Sequence, residues 1–145
     1  MSVVLDTSVF TAALIRSQFL ADAEALIQHN YGDLWAPPFL RLEFHNTLLK
    51  LERRGLLEPE DAEAIRERFD GLDVAFLDDD NWSGRALAAA RRFRQSGIYD
   101  AVFLACAEDL DADLWTCDAR FVRSFGRQRP ARLKLCPDDV TAPVP

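Results

Sequence analysis

Ser2-Val3-Val4-Leu5-Asp6-Thr7-Ser8 is a short apolar run that stops on an acid, and its reading decides the fold. A run this short, closed by polar residues, suits a buried strand; a helix needs ten or more residues. The same signature returns far downstream in Leu114-Trp115-Thr116-Cys117-Asp118. Working outward from these two, short apolar runs alternate with segments of helical period. Strands are expected from Val3 to Leu5, Asp33 to Ala36, Val74 to Leu77, Leu114 to Cys117 and, as a fifth, Leu133 to Cys136. Helices are expected from Val9 to Ile15, Phe19 to His29, Phe39 to Arg53, Pro59 to Phe69, Trp82 to Gln95, Ala101 to Leu110 and Ala119 to Phe125. Alternation of this kind implies an α/β domain: a three-layer sandwich with a central, mostly parallel sheet of four to five strands and helices on both faces.

Local signals support the boundaries. Leu40, Phe44, Leu48 and Leu51 form one stripe on the third helix, and Gly55 follows its last turn. Pro59 stands where a helix start tolerates a missing N–H. The segment Pro137 to Pro145, with three prolines, reads as a loose tail behind a single domain covering residues 1–136.

A chain of 145 residues is one domain by length, and can bury roughly 68–70% of its unfolded surface. The opening apolar run is too short for a signal peptide, and none approaches the roughly 18 residues that span a bilayer. Cys106, Cys117 and Cys136 are odd in number and lack Cys-x-x-Cys spacing, which argues against a disulfide framework or a zinc site. A reducing cytoplasm is the expected location. Net charge is −7, so charge alone does not recommend the chain to nucleic acid. The sign is uneven, however. Residues 119–134 hold six basic side chains and no acid, and Arg91-Arg92-Phe93-Arg94 is a second basic cluster. Each reads either as a solvated face or as a set of phosphate contacts.

Four acids stand out by position. Asp6 and Asp118 lie at the carboxyl ends of expected strands, where doubly wound sheets bind ligands. Asp100 sits in Tyr99-Asp100-Ala101 ahead of an apolar helix, and Glu43 lies on the third helix. Taken singly, Asp6, Asp100 and Asp118 each suit a helix N-cap, and Glu43 suits a surface pair with Arg41. Converging carboxylates repel one another unless a cation or proton joins them. All-oxygen clusters suit hard ions such as Mg²⁺ or Mn²⁺. Glu43 and Asn46, three residues apart, share a helix face, whereas His45 points elsewhere. Thr116 and Asp118 fall on one side of their strand and Cys117 on the other.

Asp6-Thr7-Ser8-Val9, Glu43-Phe44-His45-Asn46, Tyr99-Asp100-Ala101 and Thr116-Cys117-Asp118-Ala119-Arg120-Phe121 together resemble, in order and spacing, the four acidic motifs of the PIN-domain family. The plan from Val3 to Cys136 is similar to the VapC-type toxins of toxin–antitoxin pairs. The resemblance implies a PIN-like fold and a metal-dependent endoribonuclease with Asp6, Glu43, Asp100 and Asp118 as its acidic cluster and Mg²⁺ or Mn²⁺ as cofactor. Ser8, Asn46 and Thr116 would be supporting polar residues. It also implies an RNA substrate, a cognate antitoxin protein and a homodimer. Arg120 and Arg123, just after Asp118, are the candidates for RNA phosphate contacts.

Rival classes fare worse. A haloacid-dehalogenase-like phosphotransferase wants Asp-x-Asp after the first strand, where Ser8 stands here. A receiver domain wants its Asp after the middle strand and a late Lys at a strand end, which Lys134 fits poorly. An RNA-processing PIN nuclease outside any toxin system, or a non-catalytic interaction module of the same fold, remain as alternatives.

Overall fold

The computed structural model describes residues 1–15, 17–78 and 80–139. Five strands, β1 (Val3–Leu5), β2 (Leu34–Ala36), β3 (Ala75–Phe76), β4 (Asp113–Thr116) and β5 (Leu133–Leu135), form one sheet in the order β3-β2-β1-β4-β5. Every pairing is parallel, so the sheet is wholly rather than mostly parallel. β1 is central, with Val4 opposite Trp35 of β2 on one side and Leu114 of β4 on the other. The chain builds outward from β1 to β3, then crosses back to place β4 against the other edge of β1. The reversal between β1 and β4 is the switch point of the sheet.

Seven helices fill the crossovers among the described residues: α1 (Thr7–Leu14), α2 (Leu20–His29), α3 (Phe39–Arg53), α4 (Pro59–Asp70), α5 (Trp82–Arg92), α6 (Ile98–Asp109) and α7 (Ala119–Ser124). Right-handed crossovers put α1 to α4 on one face and α5 to α7 on the other. The contacts agree: α1 packs on α2, α3 and α4, while α6 packs on α5 and against β1 and β4. Fully buried Val4, Leu5, Leu34 and Leu114 form the floor of the core. On the first face Phe44 stacks on Phe69 at 4.1 Å, and Phe10 meets Phe69 edge-on at 5.5 Å, which ties α1, α3 and α4 together.

Three local outcomes differ from the sequence reading. α6 begins at Ile98 rather than Ala101, because extended Gly97 serves as its N-cap; Asp100 therefore lies inside the first helical turn and caps nothing. α5 ends at Arg92, short of Gln95, because Arg94 turns left-handed at φ 53. A 3₁₀ turn at Gly126–Gln128, not anticipated, extends α7. Of the expected tail, Asp139 accepts from the Leu135 N–H and pairs with Arg129, and residues 140–145 lie outside the described residues.

Candidate active site

The parallel sheet ends at one rim with Leu5 and Thr116, neighbours on β1 and β4, and the chain leaves each strand through an acid. Asp6 accepts from the Ser8 N–H at 3.0 Å and the Val9 N–H at 3.4 Å, and so caps α1. Asp118 accepts from the Arg120 N–H at 2.9 Å and the Phe121 N–H at 3.3 Å, and so caps α7. Capping is thus real for these two acids. Capping leaves further lone pairs on each carboxylate, so the two roles are compatible.

Hydroxyls tie the two strand ends together. Ser8 Oγ donates to Asp6 Oδ1, lies 3.1 Å from Thr116 Oγ1 and accepts from the Cys117 N–H at 2.8 Å. Thr116 Oγ1 accepts from the Asp118 N–H at 3.0 Å. Ser8 and Thr116 are therefore the bridge between Asp6 and Asp118. Asn46 is exposed and carries no hydrogen bond to any of the four acids. Thr7, which the sequence reading passed over, donates to Glu43 Oε2 at 2.7 Å and joins α1 to α3. The only signal for it was its place inside the first motif, next to the singled-out Ser8. Arg41 does not pair with Glu43; its guanidinium lies 4.2 Å over the Phe76 ring.

The electrostatics link the four acids. Burial pushes the Asp6 carboxyl up to about 7, against the Ser8 and Thr116 hydrogen bonds, and the charge of Asp100 adds to the rise. Burial also raises Glu43, with Asp100 again pushing upward and Thr7 and Lys50 opposing. Asp100 is exposed at the rim, yet the partial desolvation of its carboxyl and the charge of Asp118 both raise it. Asp100 is thus the hub, within electrostatic reach of the other three. Among the described residues no three His, Cys, Asp or Glu side chains stand close enough to hold a metal ion as a closed ligand set.

Cys106 and Cys136 are buried and Cys117 half-buried; all are free thiols, and burial raises Cys117 well above its ordinary value. Cys117 packs against the core, as its side of the strand implied. Arg120 and Arg123 are exposed on α7. No described helix is long and apolar enough to cross a membrane.

The PIN domain family's sequence profile matches residues 3–124. Among solved structures, the chain is similar to PAE2754 from Pyrobaculum aerophilum, with 22% identity, a TM-score of 0.65, and coverage of 86% of this chain and 79% of that one. No curated protein matches. PIN domains are generally nucleases, and nucleases of this type typically use divalent metals. A match across most of the length, on a wholly parallel sheet with acids at its rim, has one meaning: this chain belongs to the PIN domain family.

Proposed function

We propose that the chain is a metal-dependent endoribonuclease, the toxin of a VapBC-type toxin–antitoxin pair acting in the cytoplasm. What supports the reading is that Asp6 and Asp118 follow neighbouring strands at the switch point of the sheet, and that the charge of Asp100 raises Asp6 and Glu43 while that of Asp118 raises Asp100. The donor set is all oxygen, which suits hard ions such as Mg²⁺ or Mn²⁺. Mg²⁺ keeps several waters, so two direct carboxylates suffice and a closed set of three is unnecessary. When bound, such an ion neutralises the phosphate and lowers the pKa of a water. Asp6 and Asp100 are the direct contacts in this proposal, and Glu43 and Asp118 complete the cluster. Ser8, Thr116 and Thr7 hold these carboxylates in place. Asn46, at the exposed rim of α3, orients solvent or substrate. Arg120 and Arg123 contact phosphates beside the cut, which offsets the overall negative charge.

Association follows from the first face. Leu42 and Leu49, two turns apart on α3, are 69% and 43% exposed, an apolar face that a homodimer would cover. On the other side of α3 a groove of about 540 Å³ between α1, α3 and α4, lined by Leu14, Ile15, Leu51, Leu57 and Ile65, is where an antitoxin segment would lie.

The test is cleavage of RNA by purified protein with Mg²⁺ or Mn²⁺, stopped by EDTA. Asp6→Asn and Asp100→Asn should each lose more than about a hundredfold in rate, beyond the roughly 10–100-fold expected of supporting residues such as Ser8. Their thermal midpoints should be unchanged or higher, because one repelling charge is gone. Full activity in either variant refutes the assignment. Expression that leaves growth unaffected, alongside demonstrable cleavage, refutes the toxin role alone.

A further inference from the structure

The two edges of the sheet are built differently. β3 is only two residues long, and so short an edge itself deters a further strand. β5, at the other edge, pairs with β4 over three registers. The Leu114 N–H donates to the Arg132 carbonyl and the Cys136 N–H to the Thr116 carbonyl, each at 2.8 Å. These groups of the β5 segment face inward, and alternation along the strand turns the N–H and C=O of Leu133 and Leu135 outward. Four backbone groups on a sheet rim are a template for another strand.

Each of the four is already taken by the chain itself. The Leu133 N–H donates to the Pro130 carbonyl at 3.0 Å, and the Leu133 carbonyl accepts from Arg129 Nε at 3.1 Å and Nη2 at 2.8 Å. The Leu135 N–H donates to Asp139 Oδ2 at 2.6 Å, and the Leu135 carbonyl accepts from the Asp139 N–H at 2.7 Å. Asp139 thus reproduces at Leu135 both bonds that a residue of a neighbouring strand would make. Arg129, four residues before Leu133, and Asp139, four residues after Leu135, also pair with each other across the edge. The Leu135 N–H, and Arg129 after it, hold the Asp139 carboxyl below its ordinary value. A surface ion pair alone contributes little to stability. The use of this one lies in where it puts its two groups.

The pattern beneath the pair has a definite complement. With two copies antiparallel about a two-fold axis at Lys134, Leu133 of each faces Leu135 of the other, and both pairs exchange two hydrogen bonds. The edge is self-complementary. The same axis sets Lys134 opposite its own copy, about 4.5 Å away at Cα, where like charges repel. Hydrogen-bond closure and an edge lysine therefore act against the same partner, by independent means.

We propose that Arg129 and Asp139 form a latch over the β5 edge, and that the partner it excludes is a second copy of this chain, which would otherwise pair antiparallel through Leu133–Leu135 and join two sheets into one. The latch is independent of the RNA-cleaving reading. The test uses full-length protein, with Leu42→Asp and Leu49→Asp in the association experiments so that contact through α3 does not obscure the result. Amide exchange in dilute wild-type protein should protect the outward Leu135 N–H to within about tenfold of the inward Cys136 N–H. In Asp139→Ala, exchange at Leu135 should speed by at least about tenfold while Cys136 stays protected. At hundreds of micromolar, Asp139→Ala with Lys134→Thr should associate by light scattering. Asp139→Asn with Lys134→Thr, which keeps an acceptor for the Leu135 N–H, should not. Asp139→Ala with Lys134→Cys should cross-link two copies at position 134 under mild oxidation, and Lys134→Cys alone should not. Fast exchange of Leu135 in the wild-type chain overturns the latch, and this comparison needs no variant to fold. A latch-free variant that unfolds cooperatively yet stays monomeric overturns it as well. So does association without the cross-link at position 134, which would place the contact elsewhere.

Discussion

Asp6 is 7% exposed, and its carboxyl titrates near 7 in the fold against 3.8 in the unfolded chain. Between those values the folded state holds a proton that the unfolded state has released. Stability therefore falls as pH rises through that window and levels off above it. Glu43 and Asp100 are raised as well and act with the same sign. Asp139, lowered by the Leu135 N–H and Arg129, acts in the opposite sense below this window. Metal-free protein should thus melt at a higher temperature at pH 5 than at pH 8, and Asp6→Asn should shrink the difference. Calorimetry in EDTA showing a midpoint that rises from pH 5 to pH 8 would contradict the burial of this carboxylate. At this scale the places of Asp6 and Asp118 were legible in the sequence, because a strand that runs into a carboxylate and then starts a helix leaves a local trace. Thr7 was not, since its partner Glu43 lies 36 residues away and a threonine beside an N-cap needs no further reason.

Among the elements, α3 shows what periodicity can and cannot convey. Leu40, Phe44 and Leu48 are buried as their spacing implied, while Leu51, the fourth of the stripe, is only half-buried. Phe44 is fully buried and stacked on Phe69, so Phe44→Ala should cost about 3–5 kcal/mol. Urea unfolding would measure it, and a loss below about 1 kcal/mol would mean that α3 and α4 are not locked as described. Ends were harder to read than middles. A helix starts where a cap allows, and for α6 the cap is the backbone of Gly97, which lacks any side-chain signal. Asp100 looked like the start because aspartate is a common N-cap, yet it lies inside the first turn, three residues past the cap. The polar capping residues of α1 and α7, by contrast, were visible because the same carboxylates bind the helix N–H groups.

For the whole molecule, alternation of strands and helices implied a parallel sheet, and all five strands are parallel. Strand order was not legible, because a run such as Val3-Val4-Leu5 is equally apolar in the middle of a sheet or one place from its edge; only the pairing with β2 and β4 puts β1 at the centre. The exposed Leu42 and Leu49 belong to this scale too. Leu42→Asp with Leu49→Asp should turn a dimer into a monomer at tens of micromolar by light scattering, with the thermal midpoint of the monomer little changed because neither side chain is in the core. A wild-type chain that is already monomeric removes this face as the interface.

The central place of β1 has a consequence in time. One of its edges is covered early by β2, while the other waits for Asp113–Thr116. Until β4 has emerged from the ribosome, the Asp6 N–H lacks the Trp115 carbonyl it meets at 3.1 Å, and Ser8 lacks Thr116. Pairing across so much intervening chain is slow to form and cannot be anticipated by local structure. A nascent chain therefore carries Asp6, Glu43 and Asp100 before the strand that leads to Asp118 has joined the sheet. On the proposed reading, the chain cannot cleave RNA until Asp113–Thr116 has taken its place beside β1.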